Sequence, residues 1–128
     1  MSKEAIVHPE LGAPPDFSRA IVASGRTVYL AGQAPTRADG TTAGSDAEAQ
    51  SEACFTKLQM LLEHVGGSLD DLVMLTIYLR SMSDLEGVVA AQRRLLSLPY
   101  PAMSAFAVSD LVGPDWLLEI DGIAVLAH

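Results

Sequence analysis

Residues 72–79 read Leu-Val-Met-Leu-Thr-Ile-Tyr-Leu, eight positions rich in strand formers and mostly apolar on both faces. No other stretch limits the fold as much. The run is far too short to cross a bilayer as a helix. A strand that is apolar on both faces belongs in the middle of a sheet with a layer on each side. The chain must therefore build a sheet around this segment and cover both of its faces.

Two segments have the period of helices. Ser45 and Glu48 form a Ser-x-x-Glu start signal, and Asp46 places negative charge in the first turn. Ala47, Cys54, Leu58, Leu61, Leu62 and Val65 then recur along one face until Gly66-Gly67 ends the pattern. Ser83 and Glu86 open a second helix, whose inner stripe is Leu85, Val88, Val89, Gln92, Leu95 and Leu96 before Pro99 stops it. Residues 8–16, with three prolines and a glycine, are extended or turning. Phe17 to Ala23 reads as a strand, and the stretch that follows Gly25-Arg26 reads as its hairpin partner. Ala102 to Val108 is a further strand, and the stretch beginning at Trp116 is a long last one. The order β-β-α-β-α-β-β predicts an α+β fold, one mixed sheet with two helices packed on one face, in a single domain spanning 1–128. Too little chain remains to cover the other face, so a second copy is expected to do it.

The charge balance excludes several partners. The 128 residues carry 16 acids against 8 bases, a net charge of −8. That disfavours a phosphate backbone and an anionic bilayer, so neither nucleic acid nor membrane is an expected partner. With 49% apolar and only 19% charged residues, association with copies of itself is favoured. Cys54 is the single cysteine, which makes no intrachain disulfide and no cysteine zinc site. It fits a buried small hydrophobe better than a nucleophile. A reducing cytoplasm is the expected compartment, and the residues 1–10 lack the apolar core of a signal peptide.

Motif chemistry is sparse. Gly-x-Gly-x-x-Gly, P-loop, His-Glu-x-x-His and Gly-x-Ser-x-Gly patterns are absent, and His8, His64 and His128 have no metal-ligand spacing. No metal or cofactor is expected. Glu119 and Asp121 stand two apart in the last strand and share one face with Ile123 and Val125. A carboxylate on an apolar face needs a partner or a task, and burial there suits it to proton transfer.

Four stretches carry a resemblance: residues 17–35, the first helix with residues 65–88 after it, the proline-led YPAMSAFAV and the final LLEIDGIAV. Together they resemble the RidA/YjgF family of reactive-intermediate deaminases along nearly the whole chain. The resemblance implies a chorismate-mutase-like fold assembled as a trimeric barrel, with small-molecule clefts between neighbouring subunits. It implies that Glu119 holds a water with help from the Ala105 carbonyl, and that Gly32 and Gln33 shape the pocket. Phe17, Ala31 and Val89 stand where tyrosine, serine and asparagine are common, and Trp116 joins them as a pocket candidate. Met103 occupies the position of the arginine that grips a substrate carboxylate in deaminating members. A thioether cannot make the bidentate ion pair of a guanidinium. Arg19 and Arg37 are the nearest cations, off the family's anchor positions.

The resulting expectation is a hydrolase or deaminase for a small, less anionic imine or enamine. The alternative is a non-catalytic small-molecule-binding trimer. Ribonuclease activity ranks last on charge.

Overall fold

A computed structural model describes residues 3–127. The strands are β1 (Lys3–Ala5), β2 (Ile21–Ala23), β3 (Arg26–Gln33), β4 (Leu72–Leu79), β5 (Ala102–Ala107) and β6 (Leu118–Leu126). The helices are α1 (Ala47–His64) and α2 (Leu85–Leu95). Four strands form one sheet in the order β3-β6-β4-β5, while β1 and β2 form a separate two-stranded ribbon. β4 runs parallel to β5 and antiparallel to β6, so the sheet is mixed and Leu72–Leu79 is central, as its composition requires.

Alternation along the strands decides where the core lies. Leu118, Ile120, Ala124 and Leu126 of β6 are buried, as are Leu72, Leu75, Ile77 and Leu79 of β4. All of these but Leu126 pack in one cluster with Cys54, Phe55, Leu58 and Leu62 of α1 and Val88 and Ala91 of α2. Both helices therefore cover one face of the sheet. On the other face Tyr29 is 79% exposed and Phe106 54% exposed, so none of the described residues covers that part of it.

The expected hairpin does not form. β2 pairs with β1, whereas β3 pairs with β6 over most of its length. Gly25 has φ +142 and lies hard against the Leu126 backbone, where a Cβ would collide. The chain turns there away from β2. An eight-residue β3 beside the nine-residue β6 makes a longer ladder than the three-residue β2 could offer. Of residues 17–20, Ser18 is the one that bridges to the main sheet, through a single parallel bridge to Ala102.

The helix starts also shift. Asp46, one residue after Ser45, caps α1 by accepting from the Ala49 N–H at 2.8 Å. A carboxylate at that position complements the helix dipole as well as filling the cap. Ser81 rather than Ser83 accepts the capping bond, opening a 3-10 turn (Met82–Asp84) that leads into α2. Leu61 and Val65, expected on the inner stripe of α1, are partly exposed, at 45% and 38%, and the polar Gln50 and Ser51 are buried instead.

Gln50 ties three backbone segments together. Its Oε1 accepts from Leu117 N at 2.7 Å, and its Nε2 donates to the Gly44 and Asp115 carbonyls at 3.2 Å each. Gln50→Ala strands these backbone groups in a dry environment and should destabilise the chain by on the order of 3 kcal/mol, read from urea denaturation.

Candidate functional site

Glu119 lies near the start of β6 on the face away from the helices, directly opposite Tyr78. It is half-buried. A register shift between Leu30 and Gln33 sets two residues of β3, Ala31 and Gly32, against Asp121 alone. This bulge brings the Gly32 backbone under the Glu119 carboxylate, and a Cβ at residue 32 would overlap Oε2. The absent side chain is therefore what makes room for the acid. No described residue donates a hydrogen bond or forms an ion pair with Glu119.

The neighbouring groups on this face are polar. Thr76 and Ser104 share a row with Asp121, and Tyr78 shares one with Glu119 and Phe106. Tyr78 Oη donates to Asp121 Oδ2 at 2.8 Å. That bond, with burial behind it, raises the Tyr78 pKa above the ordinary phenol value and leaves one Asp121 oxygen engaged. Thr76 and Tyr78 alternate with Leu75, Ile77 and Leu79, a polar period hidden inside a run that otherwise reads as apolar on both faces. Ala31 lines a shallow hollow of about 410 Å³ on the same face with Tyr29, Asp121 and Ile123.

The remaining expected site residues lie elsewhere. Met103 pairs with Leu75 and Ala105 with Ile77, so both side chains point to the helix side, where they pack against the core. Met103 is three residues before the partner of Tyr78 and two strands away from Glu119. Those offsets place the two Cα atoms about 14 Å apart, with side chains on opposite faces. Val89 lines a groove of about 700 Å³ on α2 with Asp16, Glu86 and Arg93. Phe17 lines a separate pocket of about 340 Å³ beside the start of β5. Gln33 turns its amide to the Ala31 carbonyl at 2.9 Å.

Trp116 holds a turn. Its carbonyl accepts from Arg80 Nε at 2.8 Å, and its indole lies over Gly113 where a Cβ would not fit. Arg80 also donates to the Gly113 carbonyl and pairs with Asp110 at 3.2 Å, which fastens the segment leading into β6.

Among the described residues no group of three or more His, Cys, Asp or Glu is placed to hold a metal ion. Among the same residues no helix is long and apolar enough to cross a membrane.

The fold is an α+β sheet with helices on one side, a carboxylate seated over a glycine bulge on the other, and hollows of small-molecule size on both. The Endoribonuclease L-PSP family model matches residues 8–126. The 2-iminobutanoate/2-iminopropanoate deaminase of Dermatophagoides farinae is 28% identical over 130 residues, 98% of this chain and 99% of that one. The 3-aminoacrylate deaminase RutC of Acinetobacter baylyi is 31% identical over 127 residues, 97% of this chain and 98% of that one. A solved member of the conserved Rid protein family from Yersinia pestis has a TM-score of 0.84 at 31% identity, covering 98% of this chain and 100% of that one. The chain belongs to the RidA/YjgF family.

Cys54 is fully buried under α1, and its thiol donates to the Gln33 carbonyl at 3.2 Å. Burial pushes its pKa up from 9.0 to about 12. The native state thus keeps a proton that the unfolded chain loses first, so this contribution to stability is whole below pH 9 and lost as pH rises toward 12. Iodoacetamide at pH 8 should leave Cys54 unmodified in the native protein and alkylate it in urea, as read by intact mass.

Proposed function

We propose that this protein is a hydrolase of small imines or enamines, with Glu119 as the group that holds and activates water. The single observation behind this reading is the glycine bulge that opens space for the Glu119 carboxylate on a sheet face free of helices. Two relatives whose names state deamination of imine or enamine acids support the reaction class.

In this scheme the water oxygen attacks the imine carbon while the Glu119 carboxylate takes the water's proton. Glu119 passes that proton to the imine nitrogen to give an amino-alcohol; it then carries the hydroxyl proton to the amine, so the C–N bond breaks, ammonia leaves and a carbonyl compound remains. An enamine enters the same route after protonation at carbon. The Ala105 carbonyl is the proposed second contact of the water.

The site is proposed to be composite. Glu119, Gly32 and Ala31 lie on the open face, while Phe17, Val89, Met103 and Ala105 lie on the helix side or along the β5 edge. No side-chain rotation joins the two sets across a sheet. A neighbouring copy that covers the open face would bring one set to the other, and a homotrimer with three intersubunit clefts is the assembly we propose.

Met103 sits in the core row with Leu75 and offers no positive charge. This distinguishes the chain from a standard 2-imino-acid deaminase. It also favours a second reading, a trimer that binds a small molecule without turning it over. Nucleic-acid cleavage finds no support in a chain of net charge −8.

Turnover is measured as ammonia release from acidic and neutral imines generated in situ. Glu119→Gln should lower the rate by roughly 10²–10⁴-fold with the fold intact. Gly32→Ala should lower it in the same direction by displacing the carboxylate. Unchanged rates in Glu119→Gln would reject the hydrolase, and a ligand that raises the melting temperature without being consumed would support the second reading.

A further inference from the structure

Eight lysines and arginines are present, and all lie within the described residues. Seven of them are engaged. Lys3 donates to the Asp70 carbonyl, Arg26 to the Val65 carbonyl, Arg37 to Thr41 and Thr42, and Lys57 to Ala34 and Thr36. Arg80 pairs with Asp110, Arg93 with Asp16, and Arg94 with Glu48 and Glu52. Arg19 alone makes no hydrogen bond or ion pair among the described residues, although the chain carries 16 acids.

Arg19 borders a pocket. It lines the hollow of about 340 Å³ whose walls include Ile6, Pro14, Phe17, Leu98 and Tyr100. That volume is in the range of small-molecule sites, which are mostly apolar with a few polar groups that orient the ligand. The apolar walls are open to solvent, Leu98 being 76% exposed. The Ser18 backbone and hydroxyl are committed to Pro101 and Tyr100, which fixes this segment against the start of β5. Ser18 stands in register with Ala102, so Arg19 follows Ser18 as Met103 follows Ala102.

We infer that Arg19 is the carboxylate anchor of this pocket, which takes a small monocarboxylic acid whose hydrocarbon part lies against Phe17, Leu98 and Tyr100. Arg19 is exposed at the rim of this pocket, where its guanidinium can match a carboxylate with two parallel hydrogen bonds while the apolar walls take the hydrocarbon part. Arg19 supplies beside Met103 the cation that Met103 itself lacks. The inference rests on the small-molecule reading above. It narrows the substrate to acids that bring an apolar tail, held from the ribbon side of β5.

The test uses a matched pair, phenylacetate and its neutral amide phenylacetamide, titrated by calorimetry into the full chain. The wild type should bind the acid at least tenfold more tightly than the amide, with the preference shrinking as salt is raised. Arg19→Gln should erase the preference with an unchanged melting temperature. Arg19→Lys should retain part of it, because an ammonium keeps the charge and loses the fork. Glu119→Gln should lose turnover and keep the preference for the acid over the amide, so loss of catalysis and loss of anchoring are read separately. Equal affinity for acid and amide in the wild type, or an undiminished preference in Arg19→Gln, overturns the assignment. A change of oligomeric mass in Arg19→Gln with no effect on the acid would also overturn it, by placing Arg19 in an ion pair between copies.

Discussion

Strand β6 is paired on both sides, and its two faces have opposite roles. Leu118, Ile120 and Ala124 fill the space under the helices. Glu119 and Asp121 alternate with them and face away from the helices. Period-2 alternation makes these roles inseparable: the register that buries the leucines also sets the carboxylates on the open face. A slip of one residue would drive two acids into the core. Core packing therefore holds the carboxylates where they are, and the Gly32 bulge supplies the space that Glu119 occupies.

The open face gives this arrangement its functional meaning. Tyr29 and Phe106 stand exposed near Glu119, Asp121, Thr76 and Ser104. β3 and β5 are both edges of the main sheet, and Ser18 bridges β5 only at Ala102. A sheet with an apolar-polar open face and two largely unpaired edges invites another chain. In the proposed trimer that contact would complete the cleft as well as bury surface.

Much of the fold was legible in the residues. The central position and extent of Leu72–Leu79 follow from its apolar run and the two helices on one face from periodicity, while β6 begins at Leu118, two residues later than expected. The hairpin was not, because pairing depends on which partner offers the longer ladder, and β6 lies more than eighty residues beyond β3. Gln50 was missed because a polar residue on an apolar helix face carries no hydrophobic signal, although its three hydrogen bonds tie down the segments around Gly44, Asp115 and Leu117. The site was half legible. Alternation shows that Glu119 and Asp121 share a face, and Gly32 marks a close approach. Alternation within β5 shows that Met103 and Ala105 share a face as well. Which face of β5 matches which face of β6 depends on cross-strand register, and no single strand contains that information. Tyr78 and Thr76 were masked by the apolar residues around them.

The account depends most on the claim that one chain holds only half of a working cleft. Active-enzyme sedimentation tests this directly, by following which species consumes an imine as it moves through the substrate. The account predicts that activity travels with an assembly of three times the 13.5 kDa chain mass and disappears from any fraction sedimenting as a single chain. Full activity in a 13.5 kDa species would contradict it.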